Sequence, residues 1–381
     1  MSKVSQAYCV YCGSAGPFTD EHVLARAFAG PNENWMLKDL VCAECNKLFS
    51  TYERAWTSAP GEAYARIHWG PAGRKRKGAA YQAHPSENIF LTIKGDPILY
   101  EADILRGSEP RLRPQIVLTG VGLLPMAGAA QDIPRLDKAT NSLWKKRELT
   151  IQKRSKPGPL QFRIAVFAQN RTFRIEKIEL RLKPADAWLD RFPAGVANAD
   201  QRISVDADGR LRFRAHRLRD VPATLNAMLG GQVTSRPYSQ IAASQLTLVV
   251  RSPFSEYKVF RAIAKTVVNH AVDYFGRDWI ASPTFRPILD YCLGRTGDPP
   301  SSPFVGVLPS RPTGIQAIDS CQPQRHALVL CSDGARVIGL VRLYSGTTYR
   351  VHLGQPAGGI GPFTEPVWID FNGPGRVPVG T

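Results

Sequence analysis

Cys9-Val10-Tyr11-Cys12-Gly13, Thr19-Asp20-Glu21-His22-Val23 and Val41-Cys42-Ala43-Glu44-Cys45-Asn46 follow one another near the start of the chain. Two Cys-x2-Cys pairs are what a tetrahedral zinc needs: each pair bites from one tight turn, and the intervening chain closes as a loop. Gly13 suits the sharp turn that brings backbone N–H groups towards the sulfurs. The spacing predicts a closed, all-thiolate structural Zn²⁺ at Cys9, Cys12, Cys42 and Cys45. Such a site adds folding energy to a module too small for a full core of its own. Redox chemistry at the pairs is the weaker alternative, because no thioredoxin-like βαβ pattern surrounds them. Glu21, His22 and Asn46 are not needed to hold zinc; they are residue types a metal-dependent nuclease uses.

Composition places this module in a basic chain. The 381 residues carry 49 Lys/Arg and 32 Asp/Glu, a formal net charge of +17. Residues 1–60 hold five basic and six acidic side chains, so the rest of the chain carries a net +18. Such an excess attracts polyanions, above all the phosphate backbone. Nucleic acid, more readily DNA than RNA, is therefore the expected partner. Apolar content is ordinary for a globular protein and excludes global disorder. Of the seven cysteines, Cys292, Cys321 and Cys331 lie among apolar neighbours and read as buried free thiols, a reducing-compartment pattern. The first residues lack a signal-peptide core, and no run approaches the roughly 18 apolar residues of a membrane span. The expectation is a soluble, cytoplasmic protein with no membrane partner and no organic cofactor.

Patterning divides the chain into a zinc module over 1–58, a basic linker over 59–86, a strand-rich basic region over 87–250, a two-helix segment over 251–296 and a β-rich region over 297–381. The fold class is α+β. In the module, Leu48, Tyr52, Ala55 and Trp56 fall near one helical face, and Pro60-Gly61 reads as a break. Arg74, Lys75, Arg76 and Lys77 form a Gly-flanked basic loop, either a solvated linker or a clamp on phosphates. Strands are expected over 88–93, 115–118, 162–167, 178–182 and 245–250. Lys145 to Arg154 carries one further basic cluster. Arg210, Arg212, Arg214, Arg217 and Arg219 form another, which alternates with Leu211 and Phe213. Those arginines would project from one strand face, either into solvent or onto nucleic acid. Tyr257, Phe260, Ile263, Ala264, Val267, Val268, Ala271 and Tyr274 repeat at helical spacing, Gly276 stops the helix, and Ser282-Pro283 opens a second one. Strands over 326–330, 337–343 and 348–353 then predict a β-meander. His270, His326 and His352 lie singly on these elements and read as packed or solvent-facing.

The two knuckles, the acidic-His pair and the Asn after the last Cys together resemble the zinc-containing branch of the HNH endonucleases, the ββα-metal or His-Me finger nucleases. The resemblance covers about the first 55 residues. It implies a treble-clef-like ββα-metal finger with His22 as general base, and Glu21 and Asn46 as ligands of a catalytic Mg²⁺ or Mn²⁺. A neutral imidazole with a pKa near ~6.5 can take a proton from water at neutral pH. Hard oxygen ligands suit Mg²⁺ or Mn²⁺ rather than a second zinc. Glu21 and His22 are adjacent, so on an extended strand they point to opposite sides unless the backbone bends. The family's middle Asn, which orients the His, has no counterpart over 37–41. Asn34 is the candidate, with Asn32 behind it. Ser50 and Glu53 share the helical face of Asn46 and read as solvated surface or as completing a metal shell. The chain is thus expected to be a metal-dependent HNH endonuclease hydrolysing phosphodiester bonds. The alternative is a non-catalytic zinc module that binds nucleic acid or a partner.

Overall fold

The computed structural model describes residues 7–30, 34–70, 89–96, 98–103, 110–120, 122–146, 148–153, 160–167, 172–180, 185–190, 192, 200–206, 209–217, 220–230, 246–250, 255–297, 302–309, 312–356, 360–373 and 375–378. The chain divides into two compact units, one made of Met1–Tyr81 with Phe254–Thr381 and the other of Gln82–Pro253. Both mix helices and sheets, as an α+β chain should.

In the first unit, strands Phe18–His22 and Met36–Cys42 pair antiparallel, and helix Ala43–Thr57 follows directly. The pairing runs Phe18↔Cys42 and Thr19↔Val41, then shifts register to Glu21↔Leu37 and His22↔Met36. Asp39 lies at this irregularity with φ 56°, a left-handed conformation that aspartate visits more readily than most residues. Helix Pro60–His68 comes next. Pro60-Gly61 therefore opens a helix rather than marking a break, since a first-turn proline lacks only an N–H that has no helical partner. The linker expected over 59–86 is helical in its first part, and Arg74, Lys75, Arg76 and Lys77 lie outside the described residues.

Helix Glu256–Phe275 is the centre of this unit. Val259 and every residue from Arg261 to Val272 are buried. The sequence predicts one apolar face; the structure buries the helix all round, which places it inside a core. Val23, Phe28 and Trp56 from the N-terminal part and Leu328, Val341 and Val351 from the C-terminal sheet join it in one apolar cluster. Segments expected to stand apart thus share a core. Gly276 ends the helix at φ 86° as expected. A short helix, Arg277–Ile280, intervenes before Pro283–Phe285 forms a 3-10 turn that leads into helix Arg286–Cys292.

The C-terminal sheet has six antiparallel strands in the order Val305–Val307, Thr348–Gly354, Val337–Leu343, Arg325–Ser332, Phe363–Asp370 and Gly375–Pro378. Strands Arg325–Ser332, Val337–Leu343 and Thr348–Gly354 form the expected meander. Phe363–Asp370 departs from it by returning to pair with Arg325–Ser332. No helix among the described residues is long and apolar enough to cross a membrane.

The second unit holds an eight-stranded mixed sheet and a four-stranded antiparallel one. Ala187–Asp190 runs parallel to both Glu148–Lys153 and Leu211–Arg214. Two helices, Ile133–Trp144 and Asp220–Gly230, lie within the region expected to be mostly strands. Leu136 and Leu143 show the helical spacing that identifies the first of them, and both are buried. In the arginine cluster over 210–219, Arg210 and Arg217 are exposed and Arg219 lies outside the described residues, whereas Arg212 and Arg214 depart from expectation. Arg212 and Arg214 do share one face of strand Leu211–Arg214, but that face is buried. Arg212 pairs with Asp206 at 3.1 Å and Asp190 at 3.3 Å, while Arg214 pairs with Glu101. Arg113 reaches the same Glu101 at 2.9 Å. Alternation with apolar residues looks the same whether the arginines meet water or buried carboxylates.

Gly339, on strand Val337–Leu343, lets the central helix approach the sheet: a Cβ there would land on Val267. Gly339→Ala is expected to lower stability by about 1–3 kcal/mol through overpacking. Urea unfolding checks it, and Val267→Ala in the same chain should restore part of the loss.

Candidate functional site

The four cysteines converge. Their sulfurs all lie within 4.8 Å of one another, and Cys12 Sγ is 3.6 Å from Cys42 Sγ. A tetrahedral zinc with Zn–S bonds of about 2.3 Å requires sulfurs about 3.8 Å apart, so the set fits such an ion. The first knuckle turns through Gly13 at φ 78°, with Gly13 N–H donating to Cys9 O at 2.9 Å. Val10 N–H donates to Leu40 O at 3.0 Å, tying the knuckle to the second strand. Cys42 caps helix Ala43–Thr57, and Cys45 lies in its first turn. The positive end of the helix favours thiolates there. A hydrogen bond from Cys45 pulls the Cys9 thiol down to about 4 against the opposing effect of burial, with backbone N–H groups of the knuckles helping. Cys292 and Cys321 are buried free thiols and Cys331 is half-buried.

Asn46 sits one residue past the last cysteine and folds back onto the first strand. Its Nδ2 donates to Thr19 Oγ1 and to the Asp20 carbonyl, each at 2.9 Å. The amide nitrogen is thereby committed, and the Oδ1 atom remains to accept or to ligate. Asn46 is fixed to the strand that carries Glu21 and His22. Ser50 is exposed and donates to Lys47 O.

Glu21 and His22 are distributed differently from the sequence expectation. Glu21 is buried, with 3% of its surface exposed, and its carboxylate forms an ion pair with the Lys265 ammonium. Glu53 completes the group from helix Ala43–Thr57, 2.7 Å from the same Nζ. Lys265 also donates to the His22 carbonyl at 2.7 Å. Asn269, one helical turn on, donates to that carbonyl at 3.0 Å and to Glu21 Oε1 at 3.4 Å. Tyr11 holds the Asn269 amide through a 2.5 Å hydrogen bond to Oδ1. Burial opposes the Lys265 charge, but Glu53 and Glu21 outweigh it and hold the ammonium above its ordinary pKa. Burial also pushes Glu21 above the usual carboxylate range, with Lys265 offsetting part of the effect. Two acids share one cation, so the cation gains and the more buried acid loses.

The His22 imidazole is half-buried, and burial lowers its pKa below 6.5 despite the opposing field of Glu53. Asn34 is exposed and makes no hydrogen bond to His22 or Glu21 among the described residues; Asn32 lies outside them. The backbone of His22 is instead fixed by Lys265 and Asn269. A signal for them does exist in the sequence. Lys265 and Asn269 stand at i and i+4 within Ala262 to Val272, an otherwise mostly apolar run, and a buried polar pair on such a helix needs partners.

Compared with protein-family models, with curated proteins and with solved structures, the chain gives no match. Fold and site together define a mixed α+β protein with a tetra-cysteine cluster that could hold a structural metal such as zinc.

Elemental analysis of purified protein should find a single zinc per chain. Cys42→Ser is expected to abolish it and to lower the thermal midpoint sharply, because zinc-binding energy is folding energy.

Proposed function

We propose that the N-terminal module is a zinc-stapled ββα finger that hydrolyses phosphodiester bonds of nucleic acid, DNA before RNA, with His22 as general base. One observation carries this: His22 presents a half-buried imidazole, its pKa lowered by burial, on a backbone clamped by two donors. A general base must be unprotonated at working pH and held still relative to the water it activates. His22 would take the proton of the attacking water on its free ring nitrogen. Asn46, its nitrogen anchored, offers Oδ1 beside the same strand. The strand order Phe18–His22, Met36–Cys42, then helix Ala43–Thr57 supports the resemblance, as does the net charge of +17.

The residues expected to hold catalytic Mg²⁺ or Mn²⁺ meet that role unequally. Asn46 has an oxygen to give. Glu21 has less to give, because its Oε1 is taken by Lys265 and Asn269. In this reading His22 activates water without such an ion. The same ion pair favours a second reading, a zinc module that binds nucleic acid or a partner without cutting.

Incubating the full chain with supercoiled plasmid and with single-stranded RNA, with and without Mg²⁺ or Mn²⁺, separates the two. Hydrolysis should fall about 10²–10⁴-fold in His22→Ala with zinc retained, the usual contribution of a general base. Equal cutting by that variant removes His22 from the role, and wild-type protein that binds but never cuts establishes the second reading. The rate should be flat above neutrality. It should decline only below pH ~6.5, because burial shifts the imidazole downwards and the base is lost on protonation.

A further inference from the structure

We infer that Lys265 is the resident cation of this site: its ammonium fills the position between Glu21 and Glu53 that a divalent ion would need, and fixes the backbone of the candidate base His22. The inference goes beyond the proposed hydrolysis and stands whether or not the chain cuts nucleic acid.

Lys265 is fully buried, and every donor direction of its ammonium is used. It meets Glu21 Oε1, Glu53 Oε1 at 2.7 Å and the His22 carbonyl at 2.7 Å. Three hydrogens and three oxygens satisfy the group completely. The oxygens come from three places: a strand side chain, a helix side chain and a strand carbonyl. Two carboxylates and a carbonyl converging on one point form the kind of donor set a hard divalent ion takes. Here an amine occupies it.

A divalent ion entering would have to expel a buried ammonium that meets no further carboxylate among the described residues. A buried charge stripped of its partners is strongly unfavourable, so exchange is disfavoured. Being fully buried, Lys265 does not touch substrate. It is a positioning residue, acting through the carbonyl of His22 and the charge of Glu21. Asn269, held by Tyr11, supports the same carbonyl and so shares the orienting task that the sequence assigned to Asn34.

The test is titration of the zinc-loaded full chain with Mn²⁺, read by electron paramagnetic resonance, so that cleavage is not the readout. Wild type and Glu21→Gln should give the same titration, with no binding that depends on Glu21. Lys265→Met should gain a single Mn²⁺ per chain, and adding Glu21→Gln to it should remove that ion. Mn²⁺ bound by wild type and lost in Glu21→Gln overturns the inference, as does a folded Lys265→Met that binds none. If circular dichroism shows Lys265→Met unfolded, the comparison of wild type with Glu21→Gln decides alone. Failure of the hydrolysis proposal would show instead as absent cutting with this titration unchanged.

Discussion

A lysine ammonium buried in a protein core is tolerated only among anions and acceptors, and the first unit of this protein is arranged around that constraint. Lys265 projects from the middle of a helix whose surroundings are otherwise mostly apolar. Its charge is met by Glu21 from a strand and Glu53 from the helix that carries Cys45. Each contact also fixes an orientation. The strand is held with Glu21 inward, which leaves His22 half-buried beside it. The helix Ala43–Thr57 is held at a second point beyond Cys45, so the cluster and the knuckle grip the same element from two positions. Zinc would order the ends of the loop, and the ammonium orders its middle.

This arrangement changes what the acidic-His pair means. Where a carboxylate faces a cleft, it invites a metal ion; where it faces a buried ammonium, it is a structural counter-ion. The two cases share a sequence. What separates them is a residue on a helix far along the chain, which no local motif encodes. The proposed hydrolysis would rest on His22 and Asn46, both clamped through groups other than the atoms it would use.

The cysteine cluster was legible because metal ligation restricts both residue type and spacing, and four thiols in two paired turns leave few other arrangements. The central helix was legible from its spacing and from Gly276, since a helix must expose or bury whole faces. Its burial on all sides was not, because periodicity reports one face and cannot say what covers the other. Lys265 and Asn269 were visible as polar residues in an apolar run, but their partners were not. The same limit applied to Arg212 and Arg214, whose alternation fixed a common face while Asp190, Asp206 and Glu101 decided that the face was buried. Helix Ile133–Trp144 was missed because strand patterns on both sides of it dominated the region, although Leu136 and Leu143 carried the right spacing. Pro60 misled because proline both breaks helices and begins them.

The first unit is discontinuous, and this sets an order of events during synthesis. His22 and Lys265 are separated by 243 residues. At roughly 5–20 residues per second, the ribosome needs about 12–50 s to make the intervening chain. Throughout that interval the N-terminal strands have neither their ammonium nor their apolar partner helix. Loop closure over such a distance is also slow compared with local contacts. The four cysteines, by contrast, lie close together in sequence and can gather around zinc as soon as they emerge. A metal bound there would serve as a timekeeper, holding a nascent fragment in register until the helix that completes its core has been made.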